Sequence, residues 1–319
     1  MASAGSSRRS TASVPSTRSL HASSPCSIRA ASHVRLPPDV ALFPGRRSIY
    51  KTPAQLRAMI EPGLITAAAL DAVRALIAPG ITTLELDAAA SAVIIGRGAT
   101  SNFQMVRGYR HTICASVNEQ VVHGIPGSRV LEPGDIVSID AGAEYQGWNG
   151  DSAFTVVVPD PTRPELVAER EELSRVTEAS MWAGIAALAT ATHVGEVGAA
   201  VQDRVVAAGR GYGILREYVG HGIGRRMHES PSVFNYRIED EGPEVRPGLA
   251  LAIEPMVVAG DQATFVEDDE WTVSTLDGTA GSHWEHSVAV HDGGIWVLTA
   301  PDGGAAGLAP FGVTPHEIG

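Results

Sequence analysis

The stretch GDIVSIDAGAEYQGWNGDSAFTVV, residues 134–157, decides the fold class of this chain. β-branched and aromatic residues recur in GDIVSID and in DSAFTVV, and the glycines between them supply turn chemistry, so the stretch predicts a β-hairpin. Asp140 and Asp151 are expected at the inner ends of its two strands, facing each other. Burying two carboxylates is costly unless they are paired, protonated or bound to a cation. A shared metal ion meets this condition, and a pair of turn-capping aspartates is the alternative.

The composition describes a soluble globular protein with a sizeable core. The chain has 319 residues, of which 44% are hydrophobic, enough for one large domain or two ordinary ones. It contains no run of roughly 18 apolar residues, so no membrane association is expected. The net charge of −12 argues against nonspecific binding of nucleic acid. The two cysteines, Cys26 and Cys114, exclude a disulfide framework and a cysteine-based zinc site, and they suit a reducing compartment such as the cytoplasm.

The N-terminal segment differs in composition from the rest of the chain. Residues 1–50 contain seven arginines and one acid, Asp39, so they carry +6 and leave −18 for the remainder. Such a Ser- and Arg-rich segment buries too little apolar area to offset its ordering entropy. We therefore expect a disordered extension over 1–49, a catalytic domain over 50–300 and a C-terminal tail over 301–319. The extension is compatible with a transit peptide, a nonfunctional segment or a start site assigned too far upstream.

Helix start and stop signals flank the hairpin on both sides. Thr52 and Thr82 each precede a capping-box pattern, and Pro62-Gly63 must kink or divide the first helix. Residues 75–98 and 187–211 resemble each other, since each reads as a helix, a break, a second helix and Gly-Arg-Gly. This similarity indicates either two related halves with a site between them or a chance likeness in an Ala/Val-rich chain. The predicted helices lie at about 52–76, 82–95, 165–189 and 195–208.

Other acids and imidazoles interrupt apolar or glycine-rich stretches across the chain. Each one alone is compatible with a polar residue satisfied within the core, but together they indicate a shared cation site. Four carboxylates and one imidazole describe a two-metal site that suits Mn, Fe, Co or Zn. Besides the two aspartates, the residues concerned are His123, His221, His228, Glu254 and Glu285.

The motifs CASVNEQVVHGIP, GDIVSIDAGA, GHGIG and AIEPM resemble those of type I methionine aminopeptidases over about residues 50–300. The resemblance implies an α+β pita-bread fold, with pseudo-twofold related halves and a dinuclear metal site between them. It also implies two divalent metal ions, cobalt, manganese, iron or zinc. Their five ligands would be Asp140, Asp151, His221, Glu254 and Glu285.

The same resemblance implies roles for further residues. Asp151 and Glu285 would bridge the two metal ions, and Glu254 would also relay a proton. His123 and His228 would be catalytic residues that contact the substrate's scissile amide. The pocket for the methionine side chain would be lined by Tyr109, Cys114, Met227 and Trp271.

The activity implied is removal of the initiator methionine from nascent proteins with a small second residue, through a water or hydroxide between the metal ions. We expect a cytoplasmic monomer that acts on new polypeptides, with action close to the ribosome left open. Three departures from the family pattern, Val106, Arg107 and His283, leave open whether the specificity is altered. The alternatives are an X-Pro aminopeptidase or prolidase of the same fold, a weakly active paralogue and a noncatalytic binding protein. A type II enzyme is disfavoured because the interval 228–254 leaves no room for its insertion.

Overall fold

A computed structural model describes residues 48–319 of the chain. Apart from its last two residues, the extension predicted over 1–49 lies outside the described range. Within this range, no helix combines the length and the apolar character needed to cross a membrane. The α-helices are α1 Pro53–Ala58, α2 Ile60–Arg74, α3 Thr83–Gly96, α4 Pro164–Ala187, α5 Gly195–Ala207 and α6 Ala305–Leu308. The strands are β1 Thr100–Ser101, β2 Ile113–Val117, β3 Gln120–Val122, β4 Ile136–Tyr145, β5 Trp148–Val157, β6 Gly213–Ile214, β7 Gly220–Gly222, β8 Glu229–Val233, β9 Ala250–Ile253, β10 Met256–Val258, β11 Thr264–Val266, β12 Val273–Thr275, β13 Gly281–His283, β14 Glu285–His291 and β15 Gly294–Val297.

The main sheet has nine strands, and every pairing within it is antiparallel. Its central path runs β1-β4-β5-β14-β9-β7-β8, while β2 also pairs with β4 and β15 with β14. Two three-stranded sheets, β13-β10-β6 and β11-β12-β3, accompany it. Strands from the first half of the chain thus lie on one side of the sheet and strands from the second half on the other, and the two sets meet where β5 pairs with β14.

The helices form two pairs, each covering its own half of the sheet. The first pair, α2 and α3, packs with β2, β4 and β5 around buried residues such as Ile65, Leu86 and Ile139. The second pair, α4 and α5, packs with β9, β14 and β15 around residues such as Met181 and Val288. The helix-break-helix pattern predicted for 75–98 and 187–211 is confirmed, because α3 and α5 each follow a longer helix after a short break. The predicted α+β architecture with two related halves agrees with this arrangement.

The capping signals at the helix starts are confirmed. The side chains of Thr52 and Thr82 accept from the amides of Gln55 and Glu85, whose side chains accept from the two cap amides in return. The predicted division of the first helix is confirmed, and it falls at Met59, three residues before Pro62. Because proline has no amide hydrogen, Pro62 leaves the carbonyl group of the residue four positions earlier without a helical partner. That residue is Ala58, at which α1 ends.

The hairpin is confirmed, but the expected location of its acids was wrong. Its strands run on to a two-residue turn at Gln146-Gly147, where both residues have positive φ, as a type I′ turn requires. Asp140 pairs with Ala153 and Asp151 pairs with Gly142, so both aspartates lie within the strands rather than at their inner ends. They are diagonal neighbours across the hairpin, and their side chains share one face of the sheet.

The C-terminal segment 301–319 packs against the body of the protein. Leu308 is buried with the core of the second helix pair, and Ile318 is buried beside Leu56 and Leu298. The residues expected to form a tail therefore contribute apolar side chains to two cores.

The backbones of α2 and β5 approach each other closely next to Asp151. A Cβ atom built on Gly150 would lie 2.7 Å from the Gly63 Cα atom, and one built on Gly63 would lie 2.3 Å from the Leu298 carbonyl oxygen. Real Cβ atoms do not make contacts this short, so both positions require glycine. The contact sets the distance between α2 and the strand that carries Asp151.

We therefore expect the Gly63→Ala substitution to lower the free energy of unfolding by about 1–3 kcal/mol, because its Cβ overpacks the contact with Leu298. The matched control is Gly96→Ala, at the end of α3, where an added Cβ meets nothing within 4 Å. Higher helix propensity should leave the control unchanged or more stable by up to about 1 kcal/mol. Urea unfolding measures both variants, and an equal effect of the two would contradict the packing argument.

Candidate active site

The strand register places the five predicted metal ligands on one face of the main sheet. Glu285 and Asp140 both pair with Ala153, from opposite sides of β5. His221 pairs with Ala252, two residues before Glu254, which directly follows β9 rather than lying within it. Since side chains two residues apart on a strand point to the same face, the ligands follow the sheet order β4-β5-β14-β9-β7, one for each strand.

His221 is held with a ring nitrogen directed at the carboxylates. Its Nδ1 lies 3.0 Å from the Gly222 carbonyl oxygen, to which it can only donate. Its Nε2 is then the unprotonated nitrogen, and it lies 3.4 Å from Glu254 Oε1 and 4.0 Å from Asp151 Oδ2. Burial lowers the pKa of His221 to about 3, with a smaller contribution from the nearby His228. The ring is therefore neutral, as metal ligation requires.

The ligand atoms form two overlapping groups, each compact enough to hold a metal ion. One group is Asp151, His221 and Glu285, and the other is Glu254, His283 and Glu285. Within each group the ligand atoms lie within 4.8 Å of one another, and all of these residues are buried. Glu285 belongs to both groups, as the bridging role implied by the resemblance requires, whereas Asp151 belongs to one.

Several buried carboxylate oxygens have no hydrogen-bond partner among the described residues, namely Asp140 Oδ1, Asp151 Oδ1 and Glu285 Oε1. An unpaired buried carboxylate is among the most costly groups in a protein interior. Divalent transition metals accept the oxygen and imidazole donors present here. The residues thus fit a dinuclear site, with each orphaned oxygen available as a ligand.

The carboxyl pKa values report the same crowding. Burial raises the pKa of Asp140 to about 7, which His283 opposes and Glu254 reinforces, and burial raises the pKa of Glu254 to about 8. The pKa values of Asp151 and Glu285 also lie well above their usual range, because of burial and then of repulsion from neighbouring carboxylates. Without a cation, ionisation of each of these four acids is disfavoured.

The two predicted catalytic histidines lie at the edge of this cluster. His123 directly follows β3, as predicted, and has a positive φ of 59°. Its ring contacts Tyr218 edge-on at 5.5 Å, and burial lowers its pKa to about 4, aided by His283 and His228. The exposed His228 packs its ring edge-on against His221, with 4.4 Å between centroids.

The four residues predicted to line the pocket fall in one apolar cluster. Buried Tyr109 and Cys114 pack with partly buried Met227 and Trp271, and the rings of Tyr109 and Trp271 are 5.0 Å apart. Cys114 pairs with Asp140 across β2 and β4, so the cluster adjoins the acidic site. Burial raises the pKa of the Cys114 thiol, and this opposes a role as nucleophile.

Some residues of the site were missed by the sequence reasoning. Phe103 and Ile125 belong to the apolar cluster, and Val106 packs there as well, whereas Arg107 is exposed. His283 was noted only as a departure from the family pattern, although it lies inside the acidic cluster. Its spacing of two residues from Glu285 was a usable signal, because residues at that spacing in extended chain point the same way.

Comparison with known proteins agrees with this geometry. The model of metallopeptidase family M24 matches residues 57–292, which is most of the chain. The chain belongs to this family. As an M24 metallopeptidase it is a hydrolase, and the buried acid and imidazole cluster provides the donors for its divalent metal ions.

Curated M24 relatives of high similarity carry the name methionine aminopeptidase. The chain is 45% identical to methionine aminopeptidase 1 of Mycobacterium tuberculosis over 266 residues, covering 82% of this chain and 98% of the relative. It is 36% identical to the methionine aminopeptidase of Escherichia coli, covering 78% and 92%. The family predicted from the sequence motifs is therefore confirmed.

Solved structures give the same result for the fold. The methionine aminopeptidase of Thermotoga maritima matches with a TM-score of 0.73 at 37% identity, covering 78% of this chain and 98% of that one. A prolidase from Pyrococcus furiosus matches with a TM-score of 0.61 at 21% identity, covering 79% of this chain and 65% of that one, and this shows a shared fold only. The predicted pita-bread fold is confirmed.

We expect divalent metal to stabilise this M24 protein and Asp151→Asn to remove most of that effect. A metal ion at 100 times its dissociation constant adds about 2.7 kcal/mol to the free energy of unfolding. In the metal-free protein, the same substitution should leave stability unchanged or raise it, because it removes an acid whose ionisation is opposed by burial and by the neighbouring carboxyl groups. Thermal shifts with and without Mn²⁺ or Co²⁺ measure both effects.

The control is Asp203→Asn, an exposed residue that pairs with Arg237 outside the site. It should keep the full shift with metal. A metal-induced shift in Asp151→Asn equal to that of the wild type would contradict the assignment of this aspartate as a ligand.

The stability of the metal-free protein should fall between pH 6.5 and 8.5. A carboxyl group whose pKa is higher in the folded state than in the unfolded state stabilises the folded state fully at pH values below its unfolded pKa. This stabilisation is lost as the pH rises from the unfolded pKa through the folded pKa. For Asp140 and Glu254 that loss begins near their ordinary pKa values of 3.8 and 4.5 and is completed only near pH 7 and 8, and the raised pKa values of Asp151 and Glu285 add to it. Histidines with lowered pKa values lose their contribution only below about pH 6.5, outside this window.

Urea unfolding in chelator at a series of pH values measures this slope. Asp140→Asn should show a shallower slope, and saturating metal should abolish the fall because the metal competes with protons for the same oxygens. A free energy of unfolding that rises over this interval in chelator would contradict the repulsion between these acids.

Proposed function

We propose that this protein removes the initiator methionine from nascent polypeptides whose second residue is small. The observation that carries the proposal is the apolar cluster of Tyr109, Cys114, Met227 and Trp271 beside the acidic cluster. A soft apolar pocket suits an unbranched thioether side chain. The similarity to methionine aminopeptidases over nearly their full length supports the same substrate.

The metal site proposed for this reaction is held by Asp140, Asp151, His221, Glu254 and Glu285. Divalent ions bound there would supply Lewis acidity, which activates water and polarises the scissile carbonyl. Cobalt, manganese, iron and zinc all suit these donors. The free, uncharged amine of the substrate would lie against the bound ions, and this contact would restrict cleavage to the first peptide bond.

Glu254 is the proposed general acid and base. Its carboxyl group lies within the acidic cluster, with its two oxygens 3.4 Å and 3.5 Å from the ring nitrogens of His221 and His283, and a carboxylate held there can accept a proton from water. It takes the proton from the attacking water and gives it to the leaving amine. This double role requires the carboxyl group to face both the water and the scissile bond.

His123 and His228 are the proposed contacts for the scissile amide. His123 is neutral near pH 7, because its pKa is lowered to about 4, so it keeps one ring N–H to donate. A donor directed at the carbonyl oxygen stabilises the negative charge that develops on it. The apolar cluster binds the methionine side chain and excludes water from that side.

Localisation and assembly belong to the same proposal. We propose a cytoplasmic monomer with a catalytic domain over 50–300, acting on new chains close to the ribosome. The finding that no described helix could cross a membrane is compatible with this location.

The test is methionine release from a Met-Ala-Ser peptide, beside Met-Lys-Ser and an X-Pro peptide. The enzyme is stripped with chelator and reloaded with Mn, Co, Fe or Zn. Metal should restore cleavage of the first peptide alone, and Glu285→Gln should abolish it because a charged ligand common to both groups is lost.

Asp203→Asn serves as the matched control and should keep full turnover. Cleavage of the X-Pro peptide instead would identify the protein as an X-Pro aminopeptidase or prolidase of the same fold. If the metal-loaded enzyme cleaved none of the three peptides, methionine release would be rejected and an altered pocket would be indicated.

A further inference from the structure

His283 lies inside the acidic cluster with a free ring nitrogen. The residue is 2% exposed, and its Nε2 is buried without a hydrogen-bond partner among the described residues. That atom lies 3.5 Å from Glu254 Oε2. An unpaired buried imidazole nitrogen beside carboxylates has the arrangement that a metal ligand needs.

The backbone of His283 is fixed from two sides. Its amide donates to Thr155 Oγ1 at 2.9 Å and is 3.2 Å from Ser138 Oγ, and its carbonyl accepts from Thr155 Oγ1 at 2.7 Å. On the other side, β13 pairs with β10, with His283 opposite Met256. The ring thus projects from a backbone anchored to both strands of the hairpin that carries Asp140 and Asp151.

The two imidazoles in the cluster flank Glu254 symmetrically. His221 Nε2 is 3.4 Å from Glu254 Oε1, and His283 Nε2 is 3.5 Å from Glu254 Oε2. Each histidine also belongs to one of the two compact ligand groups that share Glu285. The cluster therefore divides into two halves, and each half has one nitrogen donor.

We propose that His283 is a sixth metal-ligating side chain, so that each ion of the pair has one imidazole ligand. This inference rests on the metal site proposed above, and it adds a nitrogen donor that the five-ligand pattern lacks. A second imidazole favours metals higher in the Irving–Williams order, so the ion held by Glu254, His283 and Glu285 should be cobalt or zinc rather than manganese.

The test is a metal-binding measurement that does not depend on turnover. X-ray absorption of the wild-type protein loaded with two equivalents of Co²⁺ should count one imidazole for each metal ion, and His283→Gln should halve that count. Titration calorimetry should show that the variant binds its second Co²⁺ or Zn²⁺ at least roughly tenfold more weakly, with a smaller change for Mn²⁺. His291→Gln, a residue that contacts the His316 carbonyl away from the site, is the control and should bind as the wild type does.

The outcomes separate the two proposals. If the wild-type protein binds two metal ions but X-ray absorption counts an average of half an imidazole for each ion, His283 is not a ligand. The five-ligand site would then stand unchanged. Wild-type protein that binds no metal overturns the proposed metal site itself. Because the imidazole count comes from the wild type, the inference stays testable if the variant does not fold. Unchanged Co²⁺ and Zn²⁺ affinities in a folded His283→Gln variant would also overturn it.

Discussion

The burial of four carboxyl groups close to one another is the constraint on which the centre of this protein depends. Asp140, Asp151, Glu254 and Glu285 all have raised pKa values, and three of their oxygens have no partner among the described residues. A structure that only needed to be stable would place apolar side chains at such positions. The surrounding scaffold holds these groups together at a cost in stability, and bound cations offset that cost. Folding and metal binding are in this way coupled at one place in the sheet.

The strand register turns five separate sequence positions into one site. The path β4-β5-β14-β9-β7 carries four proposed ligands on its strands and Glu254 directly after β9, and the face behind them is covered by the helix pairs. Between neighbouring ligands, Ile139, Ala141 and Phe154 point to the core of the first helix pair. Alternation along the strands thus separates a buried acidic face from an apolar packed one.

Much of this site was predictable from the sequence, because an acid within an apolar strand is a strong signal wherever it falls. The location of Asp140 and Asp151 within their strands could not be predicted, because the nearby glycines resembled turn residues. Gly142 lies inside β4, where a Cβ would come within 2.2 Å of Asn102 Oδ1, and Gly150 lies against Gly63. Only Gly147 is a turn glycine, with φ of 78°. Such close approaches depend on partners distant in sequence, and for the same reason the contact between His283 and Glu254 could not be predicted.

The alternation of faces limits how this chain can change in length. A single residue inserted within β5 would move every side chain beyond it to the opposite face, so that a carboxylate would enter the apolar layer under α2 and a large apolar side chain would face the acids. Insertions and deletions compatible with the site are thereby confined to connections that carry no site residue, such as the segment between α5 and β6. The strands that hold the ligands form a frame of fixed length, while the loops around them remain free to diverge.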